Sequence, residues 1–145
     1  MRESKSKAPL VLMEQVIMVL VFSLAAALCV QAFALSGTIS KKLVKRDHAM
    51  AVSQTMAETI KACGGNMARA QKELGGRIDG ETLTLSYDAD WNQVSDEKLA
   101  VYFAVFKQTK MEQLCGHGQV SVTERESQKE LFSLEIVWQE ELTDE

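Results

Sequence analysis

The chain has one proline, Pro9, in 145 residues. After residue 9, then, no pyrrolidine ring stops a helix, and only glycine or a change of period can end one. Cysteine is scarce, with Cys29, Cys63 and Cys115 the three. Two cysteines beyond the apolar stretch make no disulfide framework, although Cys63 and Cys115 could pair in an oxidising compartment. Histidine stands only at His48 and His117. A closed zinc site needs four ligands, and Cys115-Gly116-His117 offers two. No glycine-rich phosphate loop follows a strand, and no serine–histidine–acid or cysteine–histidine set has supporting context. The net charge is −4, and residues 123–145 hold eight acids against two bases, so the basic footprint that nucleic-acid binding requires is missing. These gaps argue against an enzyme, a metal protein or a nucleic-acid binder. No cofactor and no small-molecule substrate are expected.

What the chain does have is a long apolar run. Residues 10–35 read LVLMEQVIMVLVFSLAAALCVQAFAL. From Val16 to Leu35 there is no charge, and only Ser23 and Gln31 interrupt as clearly polar residues. Twenty helical residues rise about 30 Å, one hydrocarbon core, and a helix satisfies its own backbone groups there. Glu14 sits inside the start of the run. A carboxylate near lipid costs about a few kcal/mol unless partnered, so it is a functional candidate by default. The plain alternative is a carboxylate at headgroup depth in the first turn after Pro9, favoured by the helix N-terminus.

The flanks give opposing signals. Arg2, Lys5 and Lys7 before the run hold the N-terminus in the cytoplasm. Lys41, Lys42, Lys45 and Arg46 beyond it argue for the reverse, or for a basic band near anionic headgroups. The expected arrangement is a single-pass protein of the cell membrane with a cytoplasmic leader (1–9) and an extracytoplasmic C-terminal domain. Two alternatives stand beside it. Ala32-Phe33-Ala34 has the small-x-small pattern of a secretory cleavage site, which would release a soluble binding domain near Leu35. A domain facing the cytoplasm would make a membrane-tethered interaction protein.

A short basic leader followed by Leu10-Val11-Leu12-Met13-Glu14, with an acid at the fifth position of a long apolar helix, resembles the start of type IV pilins and of the pseudopilins of type II secretion. The resemblance covers about fifteen residues. It implies a structural or assembly subunit, with a long N-terminal helix feeding a small antiparallel sheet. Leu10 would be the first mature residue. Glu14 would be the buried glutamate that meets a neighbouring subunit's N-terminal amine. The implied partners are membrane lipid and other pilin-like subunits. Where the family has a glycine before its cleavage point, this chain has Ala8-Pro9.

Downstream, helical spacing resumes after Ser36-Gly37. Ile39, Leu43, Met50 and Ala57 form one stripe, and Val52, Met56, Ile60 and Cys63 an adjoining one. This predicts an amphipathic continuation over 36–62 and one helix over 10–62. Cys63-Gly64-Gly65 ends it, Asn66 caps a short helix over 67–74, and Asp79-Gly80 signals a turn. The period then becomes two. Strands are predicted over 82–87, over 99–106 as a central strand covered on both sides, over 119–125, and over 131–139 with Phe132, Leu134, Ile136 and Trp138 on one face. Residues 127–129 form the turn before the last strand, and 140–145 an acidic solvated tail. Asp88-Ala89-Asp90-Trp91-Asn92 resembles the opening of a calcium loop, but Gln93 and Leu99 stand where that pattern needs glycine and a bidentate acid. The competing reading is a polar loop with Trp91 against the sheet. The expected fold is α+β: a long helix, transmembrane in its first half, with its second half packed on a meander of about four strands over 63–145.

Overall fold

The computed structural model describes residues 7–112 and 115–139. The basic leader at Arg2 and Lys5 and the acidic tail at 140–145 therefore lie outside the described residues. Helix α1 runs Ala8–Ala62. It starts one residue before the proline, whose ring with its pre-set φ and missing N–H fits the first turn, and it crosses Gly37 without a break. Two glycines end it. Gly64 and Gly65 have φ of 59° and 77°, and the Gly65 N–H donates back to the Ile60 carbonyl at 3.0 Å, closing the last turn as a left-handed cap does. Helix α2 follows at Met67–Leu74, with the Asn66 side chain accepting from the Arg69 N–H.

Five strands come next: β1 Arg77–Asp79, β2 Thr82–Tyr87, β3 Tyr102–Glu112, β4 Cys115–Glu124 and β5 Glu130–Gln139. They form one sheet in the order β1-β2-β3-β4-β5, with every pair antiparallel. The fold is thus α+β, with one more strand than expected. The extra one, β1, is three residues long and exists as the partner of β2 across the Gly80 turn.

The chain divides into two compact units, Met1–Lys42 and Leu43–Glu145. In the second unit, Ala49, Ser53, Met56, Ala57 and Ile60 of α1 are buried, at the three- and four-residue steps of one helix face. The sheet residues in the same core are Leu83, Leu85, Ala104, Phe106, Val120, Val122, Ile136 and Trp138. Pairing puts them in cross-strand rows: Leu85, Ala104, Val122 and Phe132 form one, and Leu83, Phe106, Val120 and Leu134 the next. The expected single face for Phe132, Leu134, Ile136 and Trp138 is what the structure has.

One expectation fails here. The run 99–106 is not a strand covered on both sides. Leu99 is 64% exposed and precedes β3, and over residues 102–106 Tyr102, Ala104 and Phe106 are buried while Phe103 and Val105 are partly open. The Arg125 side chain explains the late start. It donates to the carbonyls of Glu97 at 2.7 Å and Ala100 at 3.3 Å, holding this segment as a loop.

Glycine makes room where the core is tightest. A Cβ at Gly116 would lie 2.2 Å from Trp138 Cε2, and one at Gly65 would lie 2.0 Å from Trp138 Nε1. The indole is held between β4 and the end of α1, edge-on to Phe106 with ring centroids 5.8 Å apart. Its Nε1–H is buried without a hydrogen-bond partner among the described residues.

Candidate functional site: the N-terminal helix

The first unit contains α1 up to Lys42, and every described residue in it is exposed. Large apolar side chains face outward all round the helix, from Leu10 at 70% to Phe33 at 80% exposure. A helix apolar on every side is built for a non-aqueous surrounding or for other helices. Among the described residues, α1 is the one helix long and apolar enough to cross a membrane.

Two of its hydroxyl groups are satisfied locally. Ser23 donates to the Val19 carbonyl at 2.7 Å, and Thr38 to the carbonyls of Leu35 at 2.9 Å and Ala34 at 3.1 Å. Such back-bonding lets a helix carry serine and threonine without a partner outside it. Glu14 differs. It is exposed and has no hydrogen-bond or ion-pair partner among the described residues. The first turn of α1 contains no acid, and Glu14 lies in the second turn. The helix-end part of the headgroup-depth alternative does not hold for α1 beginning at Ala8, because that effect fades within one turn.

The other sequence-derived sites lie in the second unit. Cys63 is buried and Cys115 half-buried, and both thiols are free. On β4 the buried positions are Gly116, Gly118, Val120 and Val122. Strand alternation therefore turns Cys115 to the face opposite the core that contains Cys63. The structure does not bring these two cysteines together, and thiols aimed apart cannot bridge without backbone movement.

The 88–92 segment folds around its own carboxylate. Asp88 Oδ1 accepts from the backbone N–H of Asp90 at 2.9 Å and of Asn92 at 2.8 Å. The backbone hydrogen bond from Asn92 holds the Asp88 carboxyl below the usual carboxylate range. The turn places Trp91 at φ 64° and lays its ring flat on Tyr102, with centroids 4.0 Å apart and planes 7° from parallel. His48 of α1 stacks with the same indole at 5.4 Å. This is the polar loop with its tryptophan against the sheet. Among the described residues, no group of three histidine, cysteine or acidic side chains is placed to hold a metal ion.

Nearby, Lys45 Nζ pairs with Glu124 Oε1 at 2.7 Å. This hydrogen bond raises the Lys45 pKa and, with one from Ser127, lowers that of Glu124. Sequence reasoning missed the pair and the His48 stack. Residues 79 apart in the chain give no local signal, and Lys45 reads as one more member of the basic cluster. Compared with protein-family models, with curated proteins and with solved structures, the chain matches none of them.

Proposed function

We propose that this chain is a single-pass membrane subunit that assembles with other subunits through its N-terminal helix, in the manner of a pilin-like or pseudopilin-like component of a type IV pilus-like or type II secretion-like apparatus. The observation that supports this most directly is the uncovered apolar surface of α1 from Leu10 to Leu35, in a chain whose buried helix residues begin only at Ala49. Residues 16–35 would anchor the protein and pack against equivalent helices. Glu14, lacking a partner of its own, would set the register of that packing by drawing a basic group from a neighbour. The domain beginning at Leu43 would be displayed outside the membrane.

Glu14→Ala tests the assembly role. The variant should insert as the parent does and fail to co-purify with its partner subunits. Unchanged co-purification rejects the role.

One observation favours the released-domain reading. The second unit starts at Leu43, so a cut after Ala34 would leave its core whole. The intact mass of the native product separates the two. A start at Leu10 or Met1 fits an anchored subunit, and a start at Leu35 fits release. Protease accessibility in intact cells distinguishes an outward-facing domain from a cytoplasmic one.

A further inference from the structure

The two edges of the sheet are unequal. At one edge lies β1, three residues long and flanked by α2. At the other lies β5, ten residues long, which pairs only with β4 among the described residues. A register shift between Val122 and Thr123 leaves Leu131 bulged, and from Phe132 to Gln139 the pairing then runs without interruption. Eight strand residues extend about 26 Å. In an antiparallel strand, alternate residues aim their N–H and C=O groups away from the existing neighbour. An edge this long with free backbone groups is a template for another strand. The usual protections are sparse here. The uninterrupted stretch contains no proline and no lysine, and Glu135 is its one charge.

Side-chain burial points the same way. Along the cross-strand rows, Leu83, Phe106 and Val120 are fully buried, as are Ala104 and Val122, while Leu134 and Phe132 at the row ends remain partly open. On the opposite face, Val137 is 49% exposed. Among the described residues, the core rows are thus one strand short of full cover.

Charge decides the occupant. If a second copy paired through its own β5, a twofold arrangement centred on the strand would set the two Glu135 carboxylates opposite or diagonal to each other. Like charges so placed destabilise a strand pair. The chain around β5 adds to the repulsion, with eight acids and two bases over 123–145. We propose that the outer edge of β5 accepts an extended segment of a partner protein in which apolar residues alternate with basic ones, by strand addition. Apolar side chains of that segment cover Phe132 and Leu134 on the core side. A basic side chain on the other side meets Glu135.

The test uses the full chain in nanodiscs of zwitterionic lipid. The probe is an acetylated eight-residue peptide of alternating valine and lysine, with a valine–glutamate peptide as its counterpart. The readout is backbone amide exchange by mass spectrometry. The valine–lysine peptide should slow exchange across 132–139 about tenfold or more, with 49–60 of α1 unchanged. In Glu135→Lys, an exposed position whose substitution leaves the core intact, that peptide should bind about tenfold more weakly and the glutamate peptide should take its place. The proposal is overturned if neither peptide slows exchange in β5 or if both do so equally. It is also overturned if protection of β5 rises with protein concentration in the absence of peptide, which would make the occupant a second copy.

Discussion

Replacing Gly116 by alanine adds one methyl group where the structure has no space. Its carbon would lie 2.2 Å from Trp138 Cε2 and 2.3 Å from Cζ2. Carbon atoms pack at about 3.5–4.0 Å, so the ring must retreat by more than about 1 Å. Gly65 lies on the same ring atoms so closely that a Cβ there would also collide with them, which narrows the retreat toward the helix end. Overpacking of this kind costs about 1–3 kcal/mol, and a ring so confined belongs at the upper end. For a unit of roughly a hundred residues, 3 kcal/mol lowers Tm by about 12–24 °C. Thermal unfolding of the full chain in detergent, followed by tryptophan fluorescence, reads the shift. Two controls separate collision from mere loss of glycine. Gly80→Ala has open space but φ of 60°, so it carries backbone strain alone, about 1 kcal/mol. Gly37→Ala has open space within α1 and should be neutral or stabilising by up to about 1 kcal/mol. Combining Gly116→Ala with Trp138→Leu should cost less than the sum of the two changes, since neighbours in contact do not add. A Gly116→Ala protein that melts within a few degrees of the parent would refute the placement of the indole.

Ile60→Ala removes a fully buried side chain of α1 and should destabilise the sheet domain by about 2–5 kcal/mol, measured by denaturant unfolding. The Lys45–Glu124 pair gives a pH signature. Glu124 titrates lower when folded, so its contribution is present above the ordinary glutamate range and lost as the pH falls through the depressed value. Lys45 titrates higher when folded, so its share is present below the ordinary lysine range and lost as the pH rises through the raised value. With the Lys45 side chain 43% exposed, the pair is worth under about 1 kcal/mol. Glu124→Gln should therefore lose that amount at neutral pH and no longer lose it on acidification; an unaltered acid limb would show that the pair contributes nothing. Asp88→Ala removes the acceptor for two backbone N–H groups and should free Trp91 from Tyr102, seen as a red shift and greater quenching of its fluorescence by iodide.

Much of this architecture could be read from periodicity because periodicity is a local property. The alternation of Thr82-Leu83-Thr84-Leu85-Ser86-Tyr87 gives β2 with its observed ends. Asn66 and the paired glycines bracket α2 correctly. The misplacements share a cause. Leu99 and Ala100 are as apolar as a strand, yet their N–H groups close a turn on Asp96 and Glu97, and Arg125, far along the chain, binds the carbonyls of Glu97 and Ala100. The polar half of β3, from Lys107 on, has no pattern of its own and is ordered by pairing with β4. The candidate Glu14 was legible because an acid in an apolar run stands out. The relation between Cys63 and Cys115 was not, because it depends on which side of β4 each residue falls.

The absence of core residues in α1 before Ala49 has an evolutionary consequence. Substitutions between Leu10 and Lys42 leave the buried contacts of the globular part untouched, whereas changes a few turns later disturb them at once. One uninterrupted helix is therefore subject to two separate selections. Its leading portion can change in sequence while the folded part that begins at Leu43 keeps its stability.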